Sequence, residues 1–228
     1  MLAPMQADWL ARWRDGRIGF HEGRPNELLE RHIGRLAGRR RVLVPLCGKA
    51  EDLAFLAAHG HEVIGIELVE QAVREFFADH ALTPSVAPRG PLVAYTAPPV
   101  TLLGGDFFAT TPDLLGPIDA LYDRAALVAL PHALRPSYIR HLRTLLPAAA
   151  PGLVITYEYD QQRVNGPPFA VLEAELRALF AGRPIELVEE RPATSVAQLT
   201  AAGVPATERC FAIAGELTTA DRSVVPMC

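Results

Sequence analysis

Apolar positions along the chain follow two patterns, short unbroken runs and stripes spaced three and four residues apart. From residue 41 onward the two take turns. The runs predict buried strands at Arg41–Leu46, Glu62–Glu67, Val100–Leu103, Ile118–Tyr122 and Gly152–Tyr157. The stripes predict helices. Leu53, Phe55, Leu56 and Ala57 form one that stops at Gly60, and Val69, Ala72, Val73, Phe76 and Phe77 form the next. Tyr138, Ile139, Leu142 and Leu145 follow Pro136, a first-turn residue, and Phe169, Leu172, Leu176 and Leu179 mark a last helix. Strand and helix in alternation signal an α/β fold, with a mostly parallel sheet and right-handed crossovers that put helices on both faces.

The ends of the chain read differently. Two β-like runs, Ile185–Arg191 and Glu208–Leu217, have no full-length helical pattern between them, so an antiparallel edge hairpin is expected. The Pro- and Gly-rich stretch 83–99 reads as a loop with one short strand at Leu92–Tyr95. Before the first strand, Asp8 is placed to cap a helix carrying Trp9, Leu10 and Trp13 on one face and ending at Gly16. Asn26 is placed to cap a second helix through Leu28, Leu29, His32, Ile33 and Leu36. There is no repeat, linker or low-complexity tract. The expected organisation is one domain over 1–228, with a helical cover at 1–40, a core at 41–217 and a disordered tail at 218–228.

Composition narrows the function. A chain of 228 residues, half of them hydrophobic, can bury a core as one domain. A net charge of −4 argues against a broad nucleic-acid or anionic-membrane surface, and Arg39-Arg40-Arg41 reads as a solvated edge. Cys47, Cys210 and Cys228 are too scattered for a disulfide framework or a zinc site. Residues 1–8 lack the basic and apolar parts of a signal peptide, and no apolar run nears the roughly 18 residues of a membrane span. A cytoplasmic monomer that acts on a small molecule, without metal, nucleic acid or membrane, is the expectation.

The loop after the first strand carries the chemistry. In open α/β sheets, ligands bind beyond the carboxyl ends of the strands. A pyrophosphate site there needs Gly-x-Gly-x-x-Gly, and a triphosphate site needs Gly-Lys-Ser/Thr. Leu46-Cys47-Gly48-Lys49-Ala50 has one glycine and ends in alanine, which disfavours both. S-adenosylmethionine carries no phosphate and asks only for a tight turn. Glu67 closes the second strand at close to the roughly 20 residues that separate a nucleotide loop from its ribose acid. Glu67 as a cap of the following helix is the competing reading. Asp106, with Phe107 beyond the third strand, stands either near the adenine or as a helix cap. Lys49, the only lysine in the chain, hints at a local role, and Cys47 reads as a packed residue rather than a nucleophile.

Five motifs then carry a resemblance. They are Trp9-x-x-x-Trp13 with Gly16 and Phe20-His21; Pro45-Leu46-Cys47-Gly48-Lys49-Ala50; Gly60-His61-x-Val63-x-Gly65-x-Glu67; Asp123-Arg124-x-Ala126-Leu127-Val128-Ala129; and Gly166-Pro167-Pro168-Phe169. In this order the chain resembles the bacterial branch of the thiopurine S-methyltransferase family. The resemblance implies a Rossmann-like class I methyltransferase that uses S-adenosyl-L-methionine. It implies cofactor contacts at Trp9, Leu46, Glu67 and Arg124 and a substrate side at Phe20; Trp13, Gly48, Asp106 and Phe107 complete the expected cofactor site by their positions, and His21 the expected substrate side. The segment Ser195–Gly203 holds no basic residue where relatives carry a further arginine, which leaves substrate preference open.

Methyl transfer from a sulfonium proceeds by in-line displacement and relies on alignment and on exclusion of water. Arg124 is the expected activator of the acceptor, with Asp123 or His21 relaying a proton. Arg124 paired with Asp123 or Glu158 is the structural alternative. The implied acceptor is a thiopurine or similar heterocyclic thiol. Selenium or tellurium species, or cofactor binding without catalysis, are the competing functions.

Overall fold

The structure, a computed structural model, describes residues 2–18 and 21–214. In chain order the helices and strands are α1 (Leu2–Arg14), α2 (Glu27–His32), β1 (Arg41–Pro45), α3 (Asp52–Ala58), β2 (Glu62–Glu67), α4 (Glu70–Asp79), β3 (Ser85–Arg89), β4 (Leu92–Ala97) and β5 (Val100–Gly104). They continue with α5 (Pro112–Leu115), β6 (Ala120–Asp123), α6 (Ala126–Ala129), α7 (Arg135–Leu145), β7 (Gly152–Tyr159), α8 (Glu173–Leu179), β8 (Ile185–Pro192), α9 (Ala197–Ala201) and β9 (Ala206–Ile213). The strands form one sheet in the order β3-β4-β5-β2-β1-β6-β7-β9-β8. β5, β2, β1, β6 and β7 run parallel, and the two edges are antiparallel.

Successive side chains of a strand point to opposite faces, so an unbroken apolar run feeds two cores at once. Val42 and Val44 pack with Leu28, Leu53 and Phe76 on the face covered by α2, α3 and α4. Leu43 packs with Leu127, Tyr138, Leu142 and Leu176 on the face covered by α6, α7 and α8. The same split sends Leu153 and Ile155 one way and Val154 the other. The expected α/β fold, with helices on both faces and a C-terminal antiparallel hairpin, is the observed one.

Four local expectations need correction. In the stretch 83–99 the short strand expected at Leu92–Tyr95 is present within β4, but the remainder is not a loop: β3 pairs with β4 in a hairpin turned at Gly90, whose φ is +64°. β3 is exposed almost throughout and contains Pro88, so no apolar period betrays it; an edge strand tolerates both. Asp8 caps nothing: α1 starts at Leu2, and Asp8 pairs within the helix with Arg12 at 2.6 Å. Leu10 points away from the buried face, half exposed, while Trp13 is buried. Phe169 precedes α8 rather than opening it, because its backbone N–H donates to Val128 O at 2.6 Å.

Other details hold. Asn26 caps α2, accepting from the N–H groups of Leu28 (2.9 Å) and Leu29 (3.4 Å). Gly60 (φ +87°) follows α3, and Pro136 lies in the first turn of α7. The tail 218–228 and the end of the last predicted strand, 215–217, lie outside the described residues.

Candidate active site

The loops at the carboxyl ends of β1, β2, β5 and β6 enclose a cavity of about 390 Å³, roofed by α1 and the segment after it. This is the crevice position expected for an open α/β sheet. The volume lies in the range of small-molecule sites, roughly 300–1,000 Å³.

The loop after β1 is wound tightly. Leu46 has φ +50° and Gly48 φ +55°, the first an uncommon conformation for a side-chain-bearing residue. Cys47 N–H donates to Ile66 O at 3.0 Å, which ties the turn to β2. Glu67 completes the tie: Oε2 accepts from Gly48 N–H at 2.8 Å, and Oε1 accepts from Val69 N–H at 2.8 Å. Burial pushes the Glu67 carboxyl up, against the pull of those backbone donors. Lys49 has the local role its rarity hinted at, pairing with Glu75 (2.9 Å) and Asp79 (3.0 Å) of α4. Burial pushes the Cys47 thiol far up, with the Glu67 charge adding to it, which leaves Cys47 an inert packed residue despite its place in the lining.

Beyond β5, Asp106 lines the cavity and also caps a 3₁₀ turn, accepting from Phe108 N–H at 2.9 Å. Its second oxygen accepts from the Gln6 amide of α1 at 2.9 Å. Phe107 is buried edge-on against His141, with ring centroids 5.0 Å apart. Trp13 is buried against Val69, Ala72 and Ile18, and Trp9 lies under the Arg12 guanidinium at 5.7 Å. Trp9, Trp13, Leu46, Gly48, Glu67, Asp106, Phe107 and Arg124 therefore share one lining. His21 shares it too, with its pKa lowered by burial and the Lys49 charge. Phe20 lies outside the described residues.

Asp123 needs correction as a catalytic candidate. It is fully buried and does not line the cavity. Oδ1 accepts from Ala126 N–H (3.0 Å) and Leu127 N–H (3.3 Å), which caps α6, and Oδ2 accepts from Tyr138 Oη at 2.7 Å. Burial pushes its pKa up to about 6. Its role is to start α6 and anchor α7.

Arg124 pairs with neither Asp123 nor Glu158. Its guanidinium lies 2.6 Å from Glu22 and 3.7 Å from Asp52. Asp52 is itself fixed by Asn26 N–H (2.6 Å) and Tyr122 Oη (2.9 Å), and Asn26 reaches Glu208 at 2.8 Å. Tyr157 Oη donates to the same Glu208 oxygen at 3.3 Å and lines the cavity. This buried polar network joins the N-terminal cover to α3, β6, β7 and β9. Burial, countered by Arg124, raises the Asp52 carboxyl.

Glu22, Asp52, Tyr157, Ser195 and Gln198 are the residues that motif reasoning missed. Glu22 directly follows Phe20-His21, and Asp52 is an acid directly before an apolar helix pattern; those were the available signals. Among the described residues there is no metal-ligand cluster, and no helix is long and apolar enough to cross a membrane.

The family model for thiopurine S-methyltransferase matches residues 5–214. A thiopurine S-methyltransferase of Pseudomonas aeruginosa (strain UCBPP-PA14) is 50% identical over 182 residues, 78% of this chain and 83% of that protein. One from Bordetella petrii is 45% identical over 185 residues, 80% and 84% of the two chains. Among solved structures, the Burkholderia thailandensis 1,6-didemethyltoxoflavin-N1-methyltransferase, with S-adenosylhomocysteine bound, aligns with a TM-score of 0.65 at 17% identity. That alignment covers 94% of this chain and 89% of the other and speaks to the fold. The chain thus belongs to the thiopurine S-methyltransferase family of S-adenosylmethionine-dependent enzymes.

Proposed function

We propose that the protein transfers the methyl group of S-adenosylmethionine to the sulfur of a thiopurine or a similar heterocyclic thiol. The observation that supports this best is the single cavity bounded by Glu67 at one strand end and Arg124 at another. Its loop has no phosphate cradle, and its walls are Trp9, Trp13, Leu46 and Phe107. These residues fit the cofactor: a carboxylate with spare lone pairs for two ribose hydroxyls, a turn close enough to meet an amino-acid group, and aromatic surface for a sulfonium.

When bound, the cofactor supplies an electrophilic methyl group. Glu67 and Gly48 would hold the nucleoside portion, and Asp106 and Phe107 would hold its base. Trp9 and Trp13 exclude water from the reacting centre. Arg124 and His21 flank the acceptor, and Phe20 is assigned to the same side by its motif. Alignment of reactants and removal of water carry the rate, and no dedicated triad is required.

The test is a substrate panel with labelled methyl donor, covering thiopurines, aryl thiols, selenite and tellurite. Label recovered on heterocyclic sulfur is the expected result. Label on the metalloids alone, or stabilisation by NAD and not by S-adenosylhomocysteine, overturns the reading.

A further inference from the structure

Arg124 is a compensated cation. Glu22 lies 2.6 Å from its guanidinium and Asp52 3.7 Å, and no other described basic side chain pairs with either acid. The three side chains are only 12%, 11% and 1% exposed respectively. Glu22 in the cavity wall and the buried Asp52 behind it therefore set two carboxylates against one guanidinium, largely withdrawn from water. An anionic acceptor that reached for Arg124 would have to displace Glu22 and leave that carboxylate uncompensated, a costly arrangement at such burial.

Glu22 is also held in place. Oε1 receives both Arg124 and the hydroxyl of Ser195 (2.9 Å), which leaves Oε2 without a hydrogen bond from any described residue. Glu22 and Ser195 line the same cavity as Trp9, Leu46 and Glu67. Asp123, the acid that the motif suggested as a relay, does not line the cavity, and both its oxygens are already engaged, by Ala126 N–H and by Tyr138 Oη.

We propose that Glu22 is the proton acceptor of the reaction, and that the site takes a neutral, proton-bearing soft nucleophile rather than an anion. This rests on the methyl-transfer reading above. As the acceptor sulfur forms its bond to the methyl carbon, the methyl–sulfonium bond breaks and its electron pair passes to the donor sulfur. The acceptor proton passes to Oε2 of Glu22 and from there to solvent. One positive and one negative charge disappear together, a balance suited to a cavity poor in water. Ser195 acts as a positioning residue for the carboxylate.

The test compares two aryl thiols of similar shape, one neutral at the assay pH and one already ionised, with the full chain and S-adenosylmethionine. Glu22→Gln is expected to lower kcat on the neutral thiol by on the order of 100-fold, and to affect the ionised thiol far less. Glu22→Asp should restore part of the loss, with S-adenosylhomocysteine affinity unchanged in both variants. Ser195→Ala, which keeps the carboxylate, should show a milder loss confined to the neutral thiol, and it serves if Glu22→Gln fails to fold. Equal losses on both thiols, or none, overturn the role of Glu22. A wild-type chain that binds S-adenosylhomocysteine yet turns over neither thiol overturns the proposed function, and this inference with it.

Discussion

Glu67 accepts the backbone N–H of Gly48 through Oε2 and that of Val69 through Oε1, both at 2.8 Å. One side chain thereby fixes the turn after β1 and the entry to α4. The ribose and capping readings of Glu67 are compatible, because an ionised carboxylate offers about four acceptor positions and the backbone uses two. Glu67→Gln turns one acceptor into a donor that faces a backbone N–H. We expect S-adenosylhomocysteine affinity to fall by about tenfold or more, and stability by about 1–3 kcal/mol. Calorimetry and urea unfolding check both, and a variant unchanged in each contradicts the arrangement.

The chain has two tryptophans, and both line the cavity. Intrinsic fluorescence should therefore report cofactor binding directly. Trp9, half-buried at the mouth, should carry much of the change, so Trp9→Phe is expected to weaken the signal and the affinity at little cost in stability. Trp13 is 3% exposed, and Trp13→Ala should cost about 3–5 kcal/mol. A titration that shows binding by calorimetry with no fluorescence change would count against this placement.

What could be read from residues alone divides along a physical line. Central strands such as β1 and β2 are buried on both faces, so their apolar runs mark them, and the glycine count of their loop was enough to disfavour pyrophosphate. β3 lies on an edge with its residues in solvent and left no pattern. Asp8 looked like a cap because a polar residue before an apolar stripe is the same whether a helix begins there or continues. Arg124 was visible by its motif, but its partners were not: Glu22 and Asp52 come from separate segments that only the fold brings together. Asp123 shares that motif and turned out to serve α6 and α7, which spacing cannot distinguish from a place in the site.

Asp123 also predicts a pH dependence. Its pKa rises from 3.8 to about 6 because burial outweighs the Tyr138 hydroxyl and the backbone donors of α6. A carboxyl raised on folding contributes stability that is full below its unfolded value and lost as pH climbs through the folded one. Relative to Asp123→Asn, which can keep the cap through its carbonyl oxygen, the wild type should lose roughly 3 kcal/mol between about pH 4 and pH 6. Urea midpoints of the two proteins across that window measure the difference. A constant gap would show that Asp123 does not titrate there.

Gly65 links core packing to the cofactor loop. It pairs with Val44 in the β1–β2 ladder, and a Cβ there would overlap Leu102 Cδ2 and lie 2.8 Å from Cys47 Sγ. Leu102 can withdraw a methyl group, but Cys47 belongs to the turn that Leu46, Gly48 and Glu67 hold. Gly65→Ala should therefore cost about 1–3 kcal/mol from overpacking and weaken S-adenosylhomocysteine binding as well. Cys47→Ala removes the sulfur in the way. In the Gly65→Ala background it should restore part of both losses, so the double variant departs from additivity in the favourable direction. Equal affinities for wild type and Gly65→Ala, alongside a clear loss of stability, would mean that strain in β2 is absorbed by Leu102 and never reaches the loop.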